Sequence, residues 1–130
     1  MMAKGWSTPP SNFAHIVSDD VGAEMKRTAG AMYQAVILKS PVDQGTFRGN
    51  HRVSEGSPDY QYDESIREKS GNETLRIGVA AIAKSKPFTI LYIQNNLPYA
   101  IKLENGASKQ PQAEDGIYAP SFHEVIQSRR

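Results

Sequence analysis

The longest periodic stretch lies near the N-terminus. Phe13, Val17, Val21, Met25, Ala29, Met32 and Val36 recur at steps of three and four, which draws one apolar stripe along a helix. Asp19, Asp20, Glu24, Lys26, Arg27 and Gln34 fall mostly off that stripe. The spacing predicts one long helix over residues 12–39, and Ser18 offers an alternative cap for a shorter one. Gly22 and Gly30 each cost about 1 kcal/mol relative to Ala in a helix interior, so both point to close packing against another element. Ser40-Pro41 ends the helix, because a residue before proline avoids helical backbone.

Beyond it the pattern shortens. Residues 41–46 (PVDQGT) form a turn, and Phe47 to Gly56 read as a strand. Residues 57–71 are polar and rich in turn formers, a surface loop with room for one helical turn around Glu64 to Lys69. Residues 72–84 fit two periods: Leu75, Ile77, Val79 and Ala81 alternate as in a strand, while Leu75, Val79 and Ile82 share a helical face with Asn72 as a cap. The helical reading is preferred. Residues 88–95 (FTILYIQN) are β-branched and aromatic and apolar on both faces, which predicts a central strand covered on both sides. Pro98 suits a first helical position and Gly106 a C-cap, so Tyr99 to Asn105 read as a short helix. Residues 107–117 are a loop. A last helix over 120–127 has Phe122, Val125 and Ile126 on its apolar side.

These elements predict an α+β fold: a long N-terminal helix packed on a small, mostly antiparallel sheet, with short additional helices. Residues 1–11 read as an N-terminal arm and residues 12–130 as a single domain. Trp6 stands out on that arm, since a large apolar ring there needs a surface to dock on, either its own domain or a neighbouring subunit.

Composition narrows the chemistry. The chain has 130 residues, no Cys and a formal net charge of +1 from 15 basic and 14 acidic residues. Disulfides, thiolate nucleophiles and cysteine-sulfur metal sites are therefore absent. No basic run exceeds two residues, unlike the one-sided patch of a dedicated nucleic-acid binder. No segment approaches the roughly 18 apolar residues of a membrane span, and MMAKGWSTPP has no apolar core of a signal peptide. His15, His51 and His123 pair with no ligand at a metal-site spacing. Nucleophile and phosphate-loop signatures are missing. Asp19-Asp20, Asp63-Glu64 and Glu114-Asp115 are adjacent acids, which read as solvated surface rather than a converging pair. Tyr60 and Tyr62 could stack on bases, but they sit among Asp59, Asp63 and Glu64, which repel phosphate. The expectation is a protein without catalytic role, cofactor or metal.

Two stretches carry more turn and cap residues than a bland surface needs: SPVDQGTFRGN (40–50) and YIQNNLPYAIKLENGASKQ (92–110). On physics alone they build tight corners, with Asp43 accepting N–H bonds in its own turn and Gly45 free to take positive φ. Together they resemble the hallmark segments of the HK97 gp10-like family of phage tail-completion proteins. Ser40, Pro41, Val42, Asp43 and Gly45 match a turn of that family, and Phe47, Arg48 and Asn50 match the strand start after it. Asn95, Asn96, Pro98, Tyr99, Ala100, Leu103, Glu104, Gly106, Ser108, Lys109 and Gln110 match a later block in order and approximate spacing. The resemblance covers about residues 13–110. It departs at His51, where the family usually has Trp, and after Gln110.

The resemblance implies a virion structural protein of a long-tailed phage, assembled in the host cytoplasm. It would be a tail-completion or neck component that forms a ring between tail tube and head connector. The partners it implies are copies of itself, the tail terminator or tail tube protein, and the head connector or stopper protein, with passing contact to DNA in the lumen and none to membrane. The matched residues become candidate interface positions, and Trp6 a candidate arm contact. A Glu104–Lys109 pair between subunits would set register around a ring. Three other readings remain: the terminator that caps the tube, a small nucleic-acid-binding module, and a small hydrolytic enzyme.

Overall fold

The computed structural model describes residues 10–128, with side chains from Val21 onward. Most of the expected arm, Trp6 included, lies outside the described residues, as do the side chains of Phe13 and Val17. The order is α1 (Pro10–Lys39), β1 (His51–Glu55), α2 (Asn72–Ala83), β2 (Leu91–Asn95), α3 (Ala100–Glu104) and α4 (Tyr118–Ser128). Single 3₁₀ turns occupy Arg48–Asn50 and Pro111–Ala113. The fold is α+β.

β1 and β2 pair antiparallel, with Val53 opposite Ile93 and His51 opposite Asn95. The core forms where α1 meets α2, α4 and this antiparallel pair. Ala29, Tyr33, Val36 and Ile37 of α1 are buried there with Phe47, Ile82, Leu97, Ala113 and Ile117. The buried face is therefore rotated from the expected stripe. Met25 and Met32 are half-buried and Val21 is 36% exposed, whereas Tyr33, absent from the stripe, is almost fully enclosed. Of the two helix glycines, a Cβ on Gly22 would touch Pro87 at 3.5 Å, but one on Gly30 would meet nothing within 4 Å. Only Gly22 lies against a neighbour.

Both strands are shorter than expected, each for a local reason. Phe47 to Asn50 are not extended. Gly45 sits at φ +88, a region that favours glycine, and its carbonyl accepts from Gly49 N–H at 3.0 Å, which coils the chain before β1. Phe88 to Ile90 also fall outside β2. Phe88 adopts φ +64, and the Glu55 carboxylate gathers Lys86 N–H (2.6 Å) and the Thr89 hydroxyl (3.0 Å) into a turn. Nor is β2 central. The sheet has two strands among the described residues, every residue of β2 is half-buried, and Phe88 and Ile90 are 69% and 61% exposed.

The ambiguous segment 72–84 is helical, as α2, but Asn72 does not cap it. Glu68 does, four residues upstream in the loop: its carboxylate accepts from the backbone of Glu73 and Thr74 and from the Thr74 hydroxyl. That carboxylate satisfies N–H groups orphaned at the helix start and faces its positive dipole end. The loop 57–71 has a turn at 64–65 instead of a helical turn. It is pinned rather than loose, by Asn50, Asn96 and Gly45. In α4, Val125 is buried and Phe122 packs on the core, while Ile126 is 50% exposed.

Candidate functional site

The two distinctive stretches, 40–50 and 92–110, meet at one corner of the molecule. The closest link is Gln110. Its side-chain carbonyl accepts from Val42 N–H at 2.8 Å, and its amide donates to the Val42 carbonyl at 2.9 Å. One side chain thus replaces a strand partner for the 41–46 turn. Ser108 holds Gln110 in place by accepting its N–H at 3.2 Å. Asn95 makes a second link, donating to the Phe47 carbonyl at 2.8 Å while its own carbonyl accepts from Leu97 N–H. Phe47 is 6% exposed and packs near Tyr99, ring centroids 6.4 Å apart.

Most other matched residues bind backbone. Arg48 donates to the carbonyls of Leu38, Ser40 and Lys69 at 3.0–3.2 Å, so it collects acceptors orphaned at the end of α1 and adds a cation at the negative end of that helix. Burial pulls its pKa down from the usual arginine value. Asn50, 1% exposed, donates to Thr46 and Asp63 carbonyls and accepts from Asp63 N–H. Asn96 donates to the carbonyls of Asp59 and Gln61. Gly106, at φ +88, ends α3 as expected, with its N–H and that of Ala107 returning to Leu103 and Lys102. Pro98 precedes α3 in a turn instead of opening the helix.

One expectation fails here. Asp43 is exposed and, among the described residues, accepts no bond from its own turn; Gln110 holds that turn instead. Glu104 has a role within the chain that the sequence did not suggest. Its carboxylate accepts from the backbone N–H groups of Ile117 (3.0 Å), Tyr118 (2.8 Å) and Ala119 (2.9 Å), capping α4 from a distance of thirteen to fifteen residues. Glu104→Ala leaves those three donors without that partner and removes a charge from a helix N-terminus. The expected loss is about 1–3 kcal/mol, read as a lower urea midpoint, with faster amide exchange at residues 117–121.

A cleft of about 310 Å³ opens at this corner, lined by Asp43, Gln44, Thr46, Tyr99, Ser108 and Gln110. Its polar walls are amides, hydroxyls and one carboxylate, Pro41, Phe47 and Leu103 add apolar surface, and no nucleophile stands beside a base. The outer surface carries Lys109, Tyr99 (38% exposed) and Ile101 (75% exposed).

Behind the corner lies a polar relay with no local sequence signature. Ser40 Oγ donates to the Val36 carbonyl at 2.7 Å and stands 2.5 Å from His51 Nε2, and His51 Nδ1 is 2.7 Å from the Tyr118 hydroxyl. Since Ser40 has one proton and spends it on Val36, His51 donates from Nε2 and accepts at Nδ1. A Ser–His contact invites a nucleophile reading, but the geometry opposes it. Ser40 is 0% and His51 3% exposed, and burial, helped by Arg48, pushes the His51 pKa down to about 3. Such an imidazole is a poor proton acceptor near neutrality. The departure at His51 was the sole hint of this relay, and its partners lie 11 and 67 residues away.

Among the described residues, no group of three or more His, Cys, Asp or Glu converges as a metal site, and no helix is long and apolar enough to cross a membrane. No protein-family model, curated protein or solved structure matches this chain.

Proposed function

We propose that this chain is a non-catalytic structural part of a long-tailed phage virion, a tail-completion or neck subunit that acts by assembly at the head–tail junction. The observation that carries the reading is the junction of its two distinctive stretches through Gln110 and Asn95. Those stretches are what resembles the phage family. Their polar side chains are spent on fixing the corner, which leaves Asp43, Tyr99, Ile101 and Lys109 as a rigid outward surface. A rigid corner with exposed apolar residues beside charges suits a protein interface. Its partners on this reading are further copies of the chain in a ring, the tail tube or its terminator, and the head connector.

Purified protein mixed with purified tail tubes tests the reading, by electron imaging and native mass measurement. A ring, or a cap at one tube end, is the expected result, and Ile101→Asp weakens it without lowering the melting temperature. The position of the cap separates a terminator from its neighbour. A chain that ignores tubes at every concentration, and instead shifts labelled DNA in a salt-dependent way, sinks the proposal in favour of a nucleic-acid module.

A further inference from the structure

Asn105-Gly106 is the chain's one Asn-Gly pair, and every other Asn is followed by a residue that carries a side chain. A Gly nitrogen with no Cβ beside it is open to attack the preceding side-chain amide. The fold leaves that amide unprotected. Asn105 is exposed at the C-cap of α3, and among the described residues its carboxamide makes no hydrogen bond. The carboxamides of Asn50, Asn95 and Asn96 are instead held on backbone carbonyls. The closed corner still blocks the attack. Asn105 sits at ψ 12, Gly106 N–H donates to the Leu103 carbonyl at 3.1 Å, and Ala107 N–H donates to the Lys102 carbonyl at 3.1 Å. The Gly106 nitrogen reaches the side-chain carbon only after ψ leaves that value and both bonds break. Those bonds close the end of a five-residue helix in which no residue is buried. An element with so little burial opens locally at far less cost than global unfolding.

We propose that Asn105 is a deamidation site that reacts in the folded chain through local opening of α3, and that the product loosens the cap of α4. The Gly106 amide gives up its proton, and its nitrogen bonds to Asn105 Cγ. The Cγ–Nδ2 bond breaks, and the departing amide takes up a proton and leaves as ammonia. Water then adds to one carbonyl of the resulting cyclic imide. Opening on one side gives aspartate; opening on the other gives isoaspartate, whose main chain runs through the former side chain. One water is consumed and one ammonia released, with no oxidant or reductant. Either product sets a carboxylate at the negative end of α3, where a helix disfavours it. It also stands next to Glu104, whose own carboxylate caps α4 through Ile117, Tyr118 and Ala119. Space there is tight. The Glu104 carbonyl lies 2.5 Å from where a Cβ on Gly116 would stand, and the Glu114 carbonyl 3.0 Å from one on Gly106. Isoaspartate lengthens the main chain at this point, which displaces Gly106 from its fit and Glu104 from the α4 start. The corner thus carries a slow, irreversible chemical switch. It concerns this chain alone and stands whether or not copies assemble on a tail.

Full-length protein, held at mildly alkaline pH both folded in buffer and unfolded in guanidinium, tests the proposal by peptide mass spectrometry with detection of isoaspartate. Position 105 should be the first Asn to convert in the folded protein. Its rate should lie within about a hundredfold of that in the unfolded chain, as local opening requires. The converted fraction should show faster amide exchange at residues 117–121 than fresh protein. Asn105→Gln, whose longer side chain closes a larger ring less readily, should abolish the leading conversion and leave exchange in fresh protein unchanged. Conversion that begins at another Asn overturns the site. A rate at 105 slower than about one hundredth of the unfolded rate means that global unfolding is required, and overturns the local opening. Conversion at 105 with exchange at 117–121 unaltered overturns the link to α4.

Discussion

Gly78→Ala should destabilise the fold by about 1–5 kcal/mol, a large share of the 5–15 kcal/mol that holds a domain of this size together. Helix propensity alone predicts the opposite sign, since Ala for Gly inside a helix gains about 1 kcal/mol. Gly78 lies within α2. An added Cβ would stand 2.0 Å from Tyr33 Cε2, 2.3 Å from Cζ and 2.7 Å from the hydroxyl oxygen. The ring borders a cleft of about 250 Å³, but leaving its seat is costly. Tyr33 is 1% exposed, and its hydroxyl donates to the Thr74 carbonyl at 2.7 Å, with the His51 carbonyl 3.2 Å away. If the ring swings out, it leaves a cavity and a buried hydroxyl without partners. If α2 lifts, it loses its seat on α1. Overpacking costs about 1–3 kcal/mol, and an orphaned buried polar group about as much again.

Chemical denaturation of the parent and variant measures the difference. A double-mutant cycle identifies its source: Tyr33→Leu is destabilising alone, yet the pair with Gly78→Ala should cost less than the sum, because the smaller side chain relieves the clash. Gly78→Ala that raises the urea midpoint would mean α1 and α2 do not approach this closely.

This contact also shows which parts of the fold were legible in the sequence. Local codes read well. Ser40-Pro41 at the end of α1, Gly106 after α3 and the helical period of 72–84 are decided by a few neighbouring residues, and the structure agrees at each. Long-range substitutions for local devices did not read at all. The cap of α2 comes from Glu68, that of α4 from Glu104, and the partner of the 41–46 turn is Gln110. Each is a polar side chain whose use depends on where the chain returns in space, and an Asn72 or Asp43 in a favourable local position loses to it. The strand at 88–95 fails for a related reason. Apolar residues on both faces fit burial in a sheet, but they equally fit a short strand beside an unfilled groove. Of the candidate site, the two stretches were visible as unusual, whereas Tyr33, Gly78 and the Ser40–His51–Tyr118 relay were not. A buried Tyr in a helix carries the same letters as an exposed one.

His51 should make the protein acid-sensitive well above the carboxylate range. In the folded chain its pKa lies at about 3 against an ordinary value of 6.5, first because burial disfavours the imidazolium and then because Arg48 is near. Between those values the unfolded chain binds a proton that the folded chain refuses. Stability is therefore fully present above about pH 6.5 and falls as the pH drops, with a slope near 1.4 kcal/mol per unit. From pH 6.5 to about pH 5 the loss comes to about 2 kcal/mol. Glu55, Asp63 and Glu73, whose carboxyls are held below their usual values, lose their contribution in the same direction but at lower pH, and His51→Phe tests whether His51 carries the response in this window. Urea midpoints at pH 7.5, 6 and 5 measure the slope. His51→Phe removes the bonds to Ser40 and Tyr118, so it lowers stability at pH 7.5; it also removes the titrating group, so the slope across the window should vanish. A slope that survives in His51→Phe would assign the acid response to another group and refute the buried neutral imidazole at the centre of the relay.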